Sequence, residues 1–142
     1  RMPYMEAVYD VLEKNHGKVI YFDFWARWCP PCLTEMEPLK QLRSKFSTND
    51  LIIYSICVSE PKEQWEECLN EYSLKNCGIE CVHVTDYLGI DNYQKIRKQW
   101  KIDRIPYYIL INRKGQIIDF GATARPSNPQ LVSRIEDAVN SK

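Results

Sequence analysis

Apolar residues along this chain fall alternately into helical spacings and short continuous runs. Met5, Val8 and Leu12 recur at helical spacing and predict a helix over 4–15, closed by Asn15-His16-Gly17. The run at 18–25 reads as a strand. Leu33, Met36, Leu39, Leu42 and Phe46 then form one apolar face of a helix over about 30–47, with charges opposite, as a helix packed on a sheet requires. A second apolar run at 51–58 reads as a buried parallel strand. Pro61 opens a helix to about 72, a short strand is expected at 82–84, and a helix over about 92–100 precedes Ile105-Pro106. Apolar runs at 107–111 and 116–120 flank Asn112-Arg113-Lys114-Gly115, a turn signal for a β-hairpin. Ser127-Asn128-Pro129-Gln130 fits a capping box with an early proline and starts a last helix reaching about 140. Helix and strand alternate throughout, which predicts an α/β fold of a βαβ half, an inserted segment and a hairpin half.

Composition narrows the class. At 142 residues the length suits one domain, over 1–142, with a sizeable core. Nineteen basic residues balance nineteen acidic ones, so no charge excess points to nucleic acid or an anionic membrane surface. The apolar runs are too short to span a bilayer, so no membrane contact by this domain is expected. The chain opens at Arg1 rather than Met, which reads as a fragment or mature part of something longer. Six cysteines are many for a reducing cytosol and few for a disulfide scaffold, which favours an oxidising compartment.

Trp28-Cys29-Pro30-Pro31-Cys32 concentrates the candidate chemistry, since two thiols at this spacing close a small ring and exchange electrons with other thiols. A strand delivers Cys29 to a helix N-terminus, where unpaired N–H groups and the helix dipole favour thiolate over thiol. Cys29 is therefore the expected nucleophile and Cys32, one turn further in, the resolving thiol. Pro30 and Pro31 lack N–H donors and stiffen the loop. Asp23 interrupts an apolar strand, and burial of an isolated carboxyl raises its pKa. Such a group exchanges a proton with Cys32 during resolution, whereas at a strand edge it would simply bond nearby backbone.

Asp23-Phe24-Trp25-Ala26-Arg27-Trp28-Cys29-Pro30-Pro31-Cys32 resembles the active-site segment of the thioredoxin superfamily, and Ile105-Pro106, about seventy residues downstream, resembles its cis-proline. The resemblance covers nearly the whole chain and implies a thioredoxin fold, with a central mixed β-sheet flanked by helices. Cys32-Leu33-Thr34-Glu35-Met36 and the insertion before Pro106 are similar to the TlpA/ResA-type extracytoplasmic thiol-disulfide oxidoreductases. The approach to the last helix, Ala124-Arg125-Pro126-Ser127-Asn128-Pro129, resembles versions common in Bacteroidetes-type bacteria. Pro38 departs from the pattern, standing six residues after Cys32 where five is usual, which bears on the helix kink.

The resemblance implies disulfide reduction or exchange by Cys29 and Cys32, with no cofactor beyond their own redox-active disulfide. It implies protein thiol or disulfide substrates, an upstream redox donor or acceptor protein, and a bacterial periplasmic location, membrane-anchored in the full-length protein. Glu35 matches the glutamate of the TlpA/ResA-type helix, with tuning of the thiols or substrate discrimination as its role and a solvated helix charge as the alternative. Ile105 and Pro106 would present backbone groups to an extended substrate segment, and Pro106 would shield the thiols from metal. Trp28 would form the docking rim together with Pro30 and Pro31, and Trp25 reads as core or apolar cover. His16 and His83 stand where no catalytic base is needed.

The other cysteines leave alternatives open. Cys57 reads as a small apolar strand residue. Cys68, Cys77 and Cys81 are each candidates for a structural disulfide, with Cys77 and Cys81 bridging each other or one of them capturing Cys68. The competing functional class is a thioredoxin-fold metal-binding or metal-delivery protein using Cys29, Cys32, Cys77 and Cys81 as ligands. Burial at a strand-to-helix junction argues against that site, and no metal is expected. A Cys-x-x-x-Cys copper-delivery motif at the first pair and a single peroxidatic cysteine with its Thr and Arg are both absent from the sequence.

Overall fold

In the computed structural model, which describes residues 1–59 and 61–141, five strands share one sheet. They are β1 (Val19–Trp25), β2 (Leu51–Cys57), β3 (Glu80–His83), β4 (Tyr107–Ile111) and β5 (Ile117–Gly121), in the order β3-β2-β1-β4-β5. The first three run parallel, β4 runs antiparallel to β1, and β5 pairs antiparallel with β4, so the sheet is mixed. The described residues also form seven helices: α1 (Glu6–Lys14), α2 (Pro30–Thr34), α3 (Met36–Lys45), α4 (Lys62–Glu71), α5 (Val84–Tyr87), α6 (Ile90–Gln99) and α7 (Pro129–Asn140). A 3-10 turn, Pro3–Met5, precedes α1.

Every residue of β1 is buried, because β1 is central and helices cover both faces of the sheet. Side chains alternate, so Val19, Tyr21 and Trp25 enter one core with Met36, Leu39, Trp65, Leu131 and Ile135, while Ile20, Phe22 and Phe24 enter the other. That second core is aromatic where α6 meets β1: Phe22 and Phe24 both pack on Trp100, and Phe24 stacks on Tyr93. Register fixes which residues share the active end. Trp25 pairs with Cys57, and Phe24 with Tyr107, so the C-terminal ends of β1 and β2 meet the start of β4.

Three local expectations are corrected. The helix expected over 30–47 is two helices that break at Glu35 (φ −85°, ψ −2°). Pro38 has no N–H to give the Thr34 carbonyl four residues earlier, so the hydrogen-bond ladder is interrupted just where the chain bends. The last helix is capped by Asn128, whose side chain accepts from the Gln130 N–H at 3.1 Å, and Ser127 takes no part in a capping box. The short strand expected at 82–84 lies at Glu80–His83, because His83 caps α5 by accepting from the Thr85 N–H at 3.3 Å and turns Val84 into a helix.

Candidate active site

β1 ends with the Trp25 carbonyl accepting from the Val58 N–H at 2.8 Å, and the chain then turns so that the Cys29 N–H reaches Ala26 O at 3.2 Å. Cys29 is the N-cap of α2, whose first turn holds Pro30 and Pro31 without loss, since first-turn N–H groups have no helical partner. Cys29 and Cys32 are disulfide-bonded, with Cα atoms 5.3 Å apart. With both flanking prolines unable to donate, the N–H that reaches the Cys29 sulfur is that of Cys32, at 3.3 Å. Cys29 thus stands at a helix N-terminus as the sequence predicts, although that first helix, α2, spans only five residues. Cys32 is 1% exposed and Cys29 5%, so both are buried and Cys29 is the less covered residue of the two.

Asp23 lies six residues before Cys29, on the β1 face that carries Tyr21 and Trp25 and packs against Cys32 and Met36. It is 3% exposed, and burial pushes its carboxyl up to about 7; the Ser55 hydroxyl pulls the other way and the charge of Glu35 adds to the rise. Ser55, its register partner on β2, donates to Oδ2 at 3.2 Å. Oδ1 is buried with no hydrogen-bond partner among the described residues. A neutral acid with one unpaired oxygen, on the face that covers the disulfide, has the chemistry of a proton donor and acceptor near pH 7.

Glu35 is not a solvated helix charge. It sits at the α2–α3 break, 8% exposed, where Oε1 accepts from the Ser127 N–H at 2.8 Å and Oε2 from the Ser127 hydroxyl at 2.7 Å. Both oxygens are thereby spent on the loop before α7, which makes Glu35 a tie between that loop and the active-site helix.

The Ile105–Pro106 peptide bond is cis. Pro106 stands immediately before β4, whose first residue pairs with Phe24, so it lies at the disulfide end of the sheet. Trp28 is 69% exposed beside Cys29, and Trp25 is core. Between Trp28 and Ile105 runs a groove of about 420 Å³, lined also by Val58, Ile102 and, from α6, Tyr93 and Arg97. A larger hollow of about 680 Å³ lies between the β4–β5 turn and α7, at the far end of the sheet, where Arg113 ties Val139, Gly17 and Asp50 together.

The remaining cysteines are unbonded, so none of the structural pairings considered for Cys68, Cys77 and Cys81 is present. No group of three or more His, Cys, Asp or Glu side chains is arranged to hold a metal ion among the described residues. Ser55 and Ser127 are the site residues that sequence reasoning missed. Ser55 is the polar break in the otherwise apolar run 51–58, a signal that marks the position and not its partner; Ser127 carries none. His83 is buried against Trp65 and bonded to the Ser59 carbonyl at 2.7 Å, a structural placement.

A family model described as Redoxin matches residues 5–139. The thiol-disulfide oxidoreductase ResA of Bacillus thuringiensis is 26% identical over 108 residues, which are 76% of this chain and 57% of that protein. The chain thus spans little more than half the length of that curated relative. A Bacteroides vulgatus protein, described as a candidate thiol-disulfide oxidoreductase, has a solution structure that is 34% identical with a TM-score of 0.69, covering 89% of this chain and 76% of that one. The thioredoxin domain of a thiol-disulfide oxidoreductase from Bacteroides vulgatus superposes with a TM-score of 0.75 at 23% identity, over 91% of this chain and 84% of that one, and that likeness carries the fold.

Proposed function

The chain belongs to the Redoxin family, with a thioredoxin fold of the TlpA/ResA type, and from that premise we propose that it reduces or exchanges protein disulfides through Cys29 and Cys32. The observation that carries this reading is the disulfide itself, built just after β1 with Cys29 the less covered residue and its sulfur accepting from the Cys32 N–H. In the reduced state the Cys29 thiolate attacks one sulfur of a substrate disulfide; that S–S bond breaks and the departing thiolate takes up a proton. Cys32 then loses its proton and attacks the Cys29 sulfur, which closes the Cys29–Cys32 bond and releases the second substrate thiol. Two electrons and two protons pass to the substrate, and the reverse sequence oxidises a dithiol.

Asp23, in the ionised form it reaches near pH 7, accepts the Cys32 proton in the resolving step and returns it in the reverse direction, a role supported by its near-neutral pKa, its unpaired Oδ1 and its place on the β1 face that packs on the Cys32 cluster. The groove between Trp28 and Ile105 receives the substrate segment, with Pro106 presenting backbone at its edge and Pro30 and Pro31 shaping the turn beside it. Glu35 is a positioning residue, acting through Ser127 on the loop that flanks the active-site helix. An oxidising compartment outside a bacterial cytoplasm, with a separate protein restoring the redox state, is the setting in which such a pair turns over.

Cys32→Ser tests the assignment. Incubated with a protein disulfide, this variant should accumulate a mixed disulfide mapped to Cys29, while Cys29→Ser should not. Failure of the Cys32→Ser variant to trap substrate at Cys29, or trapping at another cysteine in both variants, would contradict it.

A further inference from the structure

Of the four cysteines outside the active-site pair, Cys57 and Cys68 are buried, while Cys77 and Cys81 are half-buried and unbonded. The last two converge on one atom: Cys77 Sγ donates to the Leu74 carbonyl oxygen at 3.0 Å and Cys81 Sγ to the same oxygen at 3.7 Å. Both sulfurs therefore face the same carbonyl at the end of this turn. The turn that brings them together is tightly determined, since Asn76 (φ 61°) and Gly78 (φ 85°) both lie in the left-handed region. A Cβ at Gly78 would stand 3.3 Å from Cδ of Arg43, which packs directly beneath the turn. Arg43 is itself buried, its guanidinium donating to Leu51 O at 2.6 Å and Phe46 O at 2.8 Å. Burial pulls the Arg43 pKa down, and the neighbouring Cys77 opposes that fall.

We propose that Cys77 and Cys81 form a second redox pair, which closes to an intramolecular disulfide on meeting a small-molecule disulfide and does so independently of Cys29 and Cys32. The Cys77 thiolate attacks one sulfur of R–S–S–R, forming a Cys77–S–R bond; R–S⁻ departs and takes up the proton that Cys77 released. Arg43 packs beneath the turn that carries the attacking sulfur, with its guanidinium held by the Leu51 and Phe46 carbonyls. Cys81 then gives up its proton and attacks the Cys77 sulfur, forming the Cys77–Cys81 bond and expelling the second R–SH. The chain is oxidised by two electrons and R–S–S–R is reduced to two R–SH. Burial pushes the Cys81 thiol up to about 12, which suits it to the second step, where its target is already tethered beside it, and not to the first. The pair borders β3, with Cys81 in register with Ser55, the residue that holds Asp23.

The test uses the full chain, reduced, desalted and exposed to oxidised glutathione. Remaining thiols are alkylated in acid-quenched samples, and the chain is cut after Glu80 to separate the two cysteines before mass spectrometry. The expected result is a cross-linked pair of peptides joining Cys77 to Cys81, with both thiols lost together and the same yield in a Cys29→Ser/Cys32→Ser chain. In Cys81→Ser, Cys77 should retain a glutathione adduct; in Cys77→Ser, Cys81 should collect roughly tenfold less. The proposal is overturned if both thiols stay alkylated under conditions that oxidise Cys29 and Cys32. It is equally overturned if Cys77 links to Cys57 or Cys68, or if the cross-link vanishes in the chain lacking Cys29 and Cys32.

Discussion

Asp23 stays neutral in the folded chain up to about pH 7 because it is buried, whereas the ordinary aspartate value that applies on unfolding is 3.8. Between those values the folded state holds a proton that the unfolded state has lost, so stability falls as pH rises from about 4 to 7 and then levels off. At about 1.36 kcal/mol per pH unit the full cost is on the order of 4 kcal/mol. Asp23→Asn should therefore flatten the decline of the urea midpoint across that window, and an unchanged slope would place the titration elsewhere. The same variant should lose turnover by about 10²-fold, the lower range of general acid–base contributions, and lose its pH dependence near neutrality. Asp23 was legible in the sequence because a carboxylate inside an apolar run stands out. Its partner Ser55 was not singled out, because only the β1–β2 register shows that the two face each other. Glu35 was visible as a candidate, yet its burial depends on Ser127, a contact across 92 residues that no local pattern records.

The α2–α3 break is the element-scale feature that places Glu35. Leu33, Met36, Leu39 and Leu42 keep one helical period across the break, so hydrophobic pattern alone reads a continuous helix. The interruption comes from Pro38, whose missing N–H acts four residues upstream. Pro38→Ala restores that donor, and its new amide should show helix-like protection from hydrogen exchange; exchange at the rate of an exposed amide would mean that the Glu35–Ser127 tie alone maintains the bend. Ser127→Ala removes one of the two hydrogen bonds to a buried carboxyl and should destabilise the fold by about 1.5–3 kcal/mol in denaturant titration. A change below a few tenths would show the tie to be dispensable. Elsewhere the order of strands and helices followed from periodicity and turn residues except for α5, a single turn too short to show a period, and the boundaries moved where a side chain such as His83 or Asn128 supplied a cap.

Across the whole molecule, the parallel strands β1 and β2 carry their C-terminal ends to the edge where β4 begins, which gathers Cys29, Trp28, Ile105 and Pro106 although they are distant in sequence. Helices on both faces keep the sheet dry, and that dryness is what raises Asp23 and covers Cys32. The central claim is that Cys29 and Cys32 interconvert as one two-electron couple. Its most direct test is to equilibrate the chain in buffers of graded reduced and oxidised dithiothreitol, quench, alkylate and count free Cys29 and Cys32 by mass spectrometry. The account predicts a single reversible transition in which both thiols disappear together, with a tenfold change in the oxidised-to-reduced ratio per roughly 30 mV. Two thiols that titrate separately, or a pair that forms no disulfide even when oxidised glutathione replaces dithiothreitol, would contradict it.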